Sequence, residues 1–199
     1  MISTFISGFG VGGGLIVAIG AQNAFLLGQG LRRQYYIMVA IICTVCDALL
    51  ISAGVLGLGK LISSDPLWTN IMAWGGAAFL GWYGLQSFRN LFEDHKLRKD
   101  KAHGQTRRQV LLYTLAVTLL NPHVYLDTIV LLGSISAQYP PQMQLYFATG
   151  AICASITWFS FISLGAAWAS PYLARPLTWK IIDGITGLIM WSVAIFLII

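Results

Sequence analysis

Charge is almost absent from long stretches of this chain, and that constrains its fold more than any motif does. Apolar runs occupy 3–28, 35–62, 67–92, 109–137, 143–169 and 177–199. Each is long enough, at about 1.5 Å per helical residue, to cross about 30 Å of hydrocarbon. Apolar residues make up 57% of the chain and charged ones 10%, with a mean hydropathy of +0.73. A soluble domain carries about 25% charged residues, so a water-facing globular enzyme is excluded. None of the runs alternates with the period of two that a membrane barrel needs. The expected fold is an all-α integral membrane protein with six transmembrane helices.

Nine of the nineteen charges fall between Glu93 and Arg108. This segment divides the chain into two near-equal halves, 1–92 and 109–199, with 93–108 as a charged cytoplasmic linker. The breaks after the first, third and fifth runs hold eleven of the twelve basic residues, from Arg32 and Arg33 to Arg175 and Lys180; only Lys60 lies opposite. The positive-inside rule therefore places those three loops in the cytoplasm and both termini outside. Bases confined to short loops also explain the net charge of +5 without any nucleic-acid partner. No basic residue precedes Arg32, so the opening stretch lacks the n-region of a signal peptide and is expected to remain as a span. Each half has three spans, an odd number, so a repeat would be inverted in the membrane. Inverted repeats with polar breaks near mid-depth are a transporter architecture. Gly20-Ala21-Gln22-Asn23 and Asn121-Pro122-His123 are comparably placed interruptions.

Some motifs fail on inspection. Gly8, Gly10 and Gly13 satisfy a dinucleotide fingerprint, but no strand precedes them; Gly8 with Gly12, or Gly10 with Gly14, better fits close packing of membrane helices. Gly54 and Gly59-Lys60 imitate a phosphate loop until Leu61 replaces the required hydroxyl. Cys43 and Cys46 form C-x-x-C, which reads either as a redox pair or as two small apolar fillers one turn apart. With Cys153 as the third cysteine, no disulfide framework is implied.

Two acids stand at bilayer depth, Asp47 in the second run and Asp127 in the fourth. Such an acid costs about 3 kcal/mol on insertion scales, so it faces a cavity or a partner. No Lys or Arg lies deep in any run. A cationic partner must be His123, a proton or something transported. His123 and Asp127 are four apart and share a helix face. Asn121-Pro122 has the form of a helix restart, with Asn at the cap and Pro at the first helical position. A half-helix starting at mid-depth aims its positive end at an anion. Such a site offers N–H donors for a carboxylate beside acids for a cation, which suits an amino acid with a basic side chain. The alternatives are a hydrogen-bonded neutral Asp47, an Asp127–His123 pair, a simple kink at Pro122, and Gln22 and Asn23 as hydrogen-bond glue between helices.

Gly20-Ala21-Gln22-Asn23-Ala24-Phe25-Leu26-Leu27, followed by Gln29-Gly30-Leu31-Arg32-Arg33-Gln34, resembles the first-span signature of the LysE/ArgO family of lysine and arginine exporters. Cys46-Asp47-Ala48-Leu49-Leu50-Ile51 is similar to its second-span acid motif. Trp74-Gly75-Gly76 with Phe79-Leu80-Gly81-Trp82-Tyr83-Gly84 resembles the third span. Asn121-Pro122-His123-Val124-Tyr125-Leu126-Asp127-Thr128 matches the fourth-span motif and is the most specific of the four. One departure is Ala21, where some members have Pro. The resemblance implies efflux of L-arginine or L-lysine across a bacterial inner membrane, driven by the proton-motive force. It carries functional importance onto Asp47 and Asp127, and secondarily onto Gln22, Asn23, Asn121 and His123.

The expectation is therefore a multi-pass secondary exporter of basic amino acids working by proton antiport. It is not an enzyme and needs no cofactor or bound metal; its partners are substrate, protons and lipid, and a homo-oligomer is compatible with it. Two other readings stand beside it: a divalent-metal exporter using His123, Asp127 and Asp47, and a membrane thiol-redox protein using Cys43 and Cys46. The charge bias makes a direct prediction. Topology reporters fused after Lys99 should report cytoplasm and those fused after Ile199 periplasm; a cytoplasmic C-terminus would overturn the six-span count.

Overall fold

The computed structural model describes residues 1–17, 20–57, 66–92, 105–171 and 176–196. Among them every regular element is helical. In chain order these are α1 (Ile2–Ile16), α2 (Ala21–Leu31), α3 (Tyr36–Val55), α4 (Pro66–Phe92), α5 (Arg107–Leu119), α6 (Pro122–Tyr125), a π-helical turn (Leu126–Leu131), α7 (Leu132–Ser136), α8 (Pro141–Ala169) and α9 (Pro176–Phe196). Gly59-Lys60-Leu61 and most of the charged linker lie outside the described residues.

Local sequence accounts for the boundaries. α5 opens on a capping box: the Thr106 hydroxyl accepts the backbone N–H of Gln109, whose side chain accepts the N–H of Thr106, satisfying two end donors. α8 follows Pro140, with Pro141 in its first turn, where the missing N–H is harmless. Of the described helices, α3 and α8 are each long and apolar enough to cross a membrane. α1 and α2 pass that test together, although they meet at 81°. The first apolar run thus forms two helices where the sequence reads as a single span. The fourth run forms α5 and then, after Leu120-Asn121, the series α6, π turn and α7.

α1 lies along α8, and α9 lies along α4. α8 also crosses α3 and α2, while α3 meets α5, the π turn and α7. Glycines permit the closest of these approaches. Gly8 and Gly12 press on the backbone of Phe147 and Ala151, whereas Gly10 and Gly14 have open space beside them. The first pair is therefore the packing face. On α3, a Cβ at Gly54 would come within 2.7 Å of the Thr128 carbonyl, and one at Gly133 within 2.6 Å of the Gly54 carbonyl. α3 and the start of α7 consequently touch backbone to backbone.

The larger buried cluster includes Phe25, Val39, Cys43, Leu80, Tyr83, Val110 and Val117, and reaches Met190 and Ala194 on α9. Side-chain bonds tie one end of the bundle together. Gln29 donates to Gln105 at 2.6 Å, Arg33 Nε donates to the Ala167 carbonyl at 2.9 Å, and Ser170 donates to the Leu31 carbonyl at 2.7 Å. Arg32, Arg33, Arg107 and Arg108 therefore collect at one end. At the other end, the Ser7 and Tyr139 hydroxyls lie 3.0 Å apart.

The glycine contacts predict a contrast. Gly54→Ala forces backbone apart and should destabilise the protein by about 1–3 kcal/mol, in the usual range for overpacking. Gly14→Ala meets nothing and should be neutral or stabilising. Thermal melting of both variants in detergent checks this, with a clear drop in Tm expected for Gly54→Ala alone.

Candidate functional site

The two helix breaks meet at one place. In the first, the Asn23 amide donates to the Ile16 carbonyl at 2.8 Å, satisfying an acceptor at the end of α1 by reaching back across the bend. Trp158 Nε1 on α8 donates to Asn23 Oδ1 at 3.3 Å. In the second, the Tyr125 hydroxyl donates to the Leu119 carbonyl at 2.8 Å, so the end of α5 is capped from beyond the break. The backbone N–H of Val124 donates to the Asn121 carbonyl at 3.1 Å, which starts the new helix at Pro122 with Asn121 in the cap position.

A cavity of about 430 Å³ opens between these breaks, within the usual range of about 300–1,000 Å³ for small-molecule sites. Gly20, the cap of α2, lines it, as do Gln22 and Asn23 in the first turn. Asn121 and Val124 line it from the other restart, and Asp47, Asp127 and Thr128 complete its polar wall. Leu15, Ile16, Leu132 and Val193 make the apolar part. Five of the residues singled out from sequence therefore border one space: Gln22, Asn23, Asp47, Asn121 and Asp127. Pro122 begins α6; its side chain and that of His123 lie outside what is described.

Asp47 is 2% exposed, and its Oδ2 accepts the Ser155 hydroxyl at 3.1 Å. That bond links the middle of α3 to α8. Gln22 lies beside both Asp47 and Cys43, with its Nε2 buried and no well-formed hydrogen bond on it. Asp127 and Thr128 sit in the π turn. Turns of this kind are rare and recur at functional sites. The Thr128 hydroxyl turns back to the Val124 carbonyl. The cavity's described lining holds two carboxylates and no basic side chain. It also receives the N-terminal ends of α2 and α6, where helix dipoles present positive potential. Cationic and anionic groups of one ligand thus have separate complements in one space.

The metal-exporter reading needs the side chain of His123, which lies outside what is described. Among the described residues, no three His, Cys, Asp or Glu side chains group as metal ligands. Cys43, Cys46 and Cys153 are free thiols. Ser155, Thr128 and Trp158 are contributors that sequence reasoning passes over. The signal for Ser155 is faint: it sits among Ala148, Ala151 and Ala154 on the small-residue face that α8 buries.

Comparison with known proteins gives a consistent picture. The profile of the family described as LysE type translocator matches residues 14–199. The chain is 41% identical over 196 residues to "Arginine exporter protein ArgO" of Serratia proteamaculans (strain 568), covering 98% of this chain and 96% of that protein. It is 45% identical over 195 residues to the protein of the same name from Photorhabdus laumondii, covering 98% and 94%. It is 42% identical over 196 residues to "Putative amino-acid transporter YggA" of Aeromonas salmonicida, covering 98% and 95%. No solved structure matches.

Proposed function

We propose that this chain, which belongs to the LysE type translocator family, exports arginine and related basic amino acids across a bacterial inner membrane in exchange for protons. The observation that carries the proposal is the meeting of Asp47, Asp127 and two helix N-termini at one cavity. The relatives named as arginine exporters supply the substrate. A guanidinium or ammonium group is complementary to the carboxylates, and an α-carboxylate to the N-terminal ends near Gly20 and Asn121.

Charge drives the coupling. Moving a cation out against an inside-negative potential costs about 2.3 kcal/mol per charge per 100 mV. Exchange with one inward proton cancels that cost and leaves only the two concentration gradients. In this reading a carboxylate that releases its proton as it takes the substrate cation performs the exchange. Asp47 has the Ser155 hydroxyl on one oxygen and the cavity beside it; Asp127 offers a second carboxylate in the same space.

The six-span, inverted-repeat architecture belongs to the same proposal, and the contact pattern supports it. α1 and α2 pack on α8 as α5, the π turn and α7 pack on α3. α4 pairs with α9, and α3 with α8. Exchanging the halves returns most of the same neighbours, the pattern that a two-fold axis in the membrane plane would give. Gly20 and Asn121 then occupy equivalent cap positions.

The central experiment is flux of labelled arginine and lysine in inverted vesicles, with and without a proton gradient. Asp47→Asn and Asp127→Asn retain side-chain shape but cannot exchange a proton. Each should reduce gradient-driven flux at least tenfold with insertion unchanged; wild-type flux in both variants would overturn the coupling. A second comparison addresses the carboxylate. Pro122→Ala allows the fourth run to close into a continuous helix, removing exposed N–H groups. Competition by arginine should then weaken, while agmatine, which lacks the carboxylate, should compete almost as before. Equal behaviour of the two competitors before and after the change would make Pro122 a kink only.

A further inference from the structure

Among the described residues, the cavity's lining extends to one side of the breaks. From Asp47 it runs past Asp127 to Leu132 on α7 and to Ser192 and Val193, close to the end of α9. These positions lie toward the end of the bundle opposite Arg32 and Arg33. Toward the basic end the space is filled by Phe25, Val39, Tyr83, Val110 and Val117, all buried. Tyr83 meets Phe25 edge-on at 5.6 Å and Tyr113 at 5.9 Å. Among the described residues, the side toward the basic end is the closed one.

The closed side is not uniformly apolar. Cys43 lies one helical turn from Asp47 on the same face of α3, is fully buried, and has Gln22 and Thr118 as neighbours. Thr118 is fully buried, and its hydroxyl lies beside the Cys43 thiol without a well-formed hydrogen bond. The Gln22 Nε2 is in the same condition. Thr114, one turn further along α5, is also fully buried, its hydroxyl turned onto the Val110 carbonyl at 2.6 Å. On α2, Gln29 follows Gln22 by two turns on the same face. It is 1% exposed, its Oε1 is unpartnered, and its Nε2 holds Gln105 at the mouth of α5. Three helices thus turn polar faces into one seam between Asp47 and the basic end.

Buried polar atoms normally find partners, and an exception calls for a cause. Here several exceptions lie in line. From this alignment we infer that α2, α3 and α5 enclose the inner half of the substrate's route, closed in this conformation and hydrated when it opens to the basic loops. Gln22, Cys43, Thr118 and Thr114 line it, and the Gln29–Gln105 bond latches its mouth. These poorly satisfied groups are those that water and the polar ends of an amino acid would satisfy in the open state. This inference deepens the exporter reading and rests on it, because only a transported solute needs a path on both sides of the acids.

Cys43 provides a natural reporter. In a Cys46→Ser, Cys153→Ser protein it is the remaining thiol. Inverted vesicles expose the basic loops to the bath, and right-side-out vesicles expose the other end. A membrane-impermeant methanethiosulfonate with a trimethylammonium head should label Cys43 at least tenfold faster in inverted vesicles, with saturating arginine slowing the reaction. Gln105→Ala should speed labelling severalfold by removing the latch. Thr118→Cys in a Cys43→Ser background should show the same sidedness, and Ile41→Cys, on the exposed face of α3, should not. Arginine flux is measured in the same vesicles. Intact flux with Cys43 and Thr118→Cys both unlabelled from the basic side, or labelled equally from both sides, would overturn the path. Sided labelling without arginine flux would support the path and count against arginine as the solute.

Discussion

Hydrocarbon offers no hydrogen bonds, so each backbone N–H and C=O in a spanning segment must be satisfied within the protein. That constraint governs this structure. A helix interrupted at mid-depth leaves carbonyls at one end and N–H groups at the other. The chain meets the first need with side chains from across each break: Asn23 for Ile16, and Tyr125 for Leu119. The N–H ends are turned toward the cavity. Trp158 holds Asn23 in place from α8, so the geometry of the first bend depends on a helix far away in sequence. Site, cavity and helix arrangement all follow from placing two interrupted helices side by side.

The interior acids belong to the same economy of groups. A carboxylate buried in apolar surroundings needs a donor or a counter-charge. Asp47 receives a neutral donor from Ser155, has the neutral Gln22 side chain beside it, and no described basic side chain borders the cavity with it. A neutral donor steadies the carboxylate without cancelling its charge, which leaves it able to attract a cation. An arginine or lysine in place of Ser155 would satisfy Asp47 more completely and remove that attraction.

Much of this was legible from sequence, for reasons specific to particular residues. Asp47 and Asp127 stand out because charge is rare in apolar runs, and Asn121-Pro122 because proline carries its own backbone signature. The break before Ala21 is harder to see. Gly20 is one of several glycines in that run, and the group that stabilises the bend, Asn23, lies on its far side. Ser155 and Trp158 act through tertiary contacts with residues more than a hundred positions away, and neither has a local pattern to mark it. Gly8 with Gly12 and Gly10 with Gly14 have the same spacing, so only the direction in which α8 approaches distinguishes them. The π turn likewise has no composition cue; its residues read as an ordinary apolar helix.

The π turn has a consequence for how this segment tolerates changes in length. A π turn is an α-helix that has absorbed an additional residue, and each residue advances an α-helix by about 100°. Because the turn absorbs that residue, α6 and α7 keep nearly the bearing they would have in an uninterrupted helix one residue shorter. Removing one residue between Leu126 and Leu131 would therefore restore regular winding and leave Gly133 close to its place against Gly54. The same deletion made within α7 before Gly133 would rotate the glycine away by about 100°, and a bulkier neighbour would meet the α3 backbone where only a hydrogen atom fits. The segment thus has slack in its length at the turn and none beyond it.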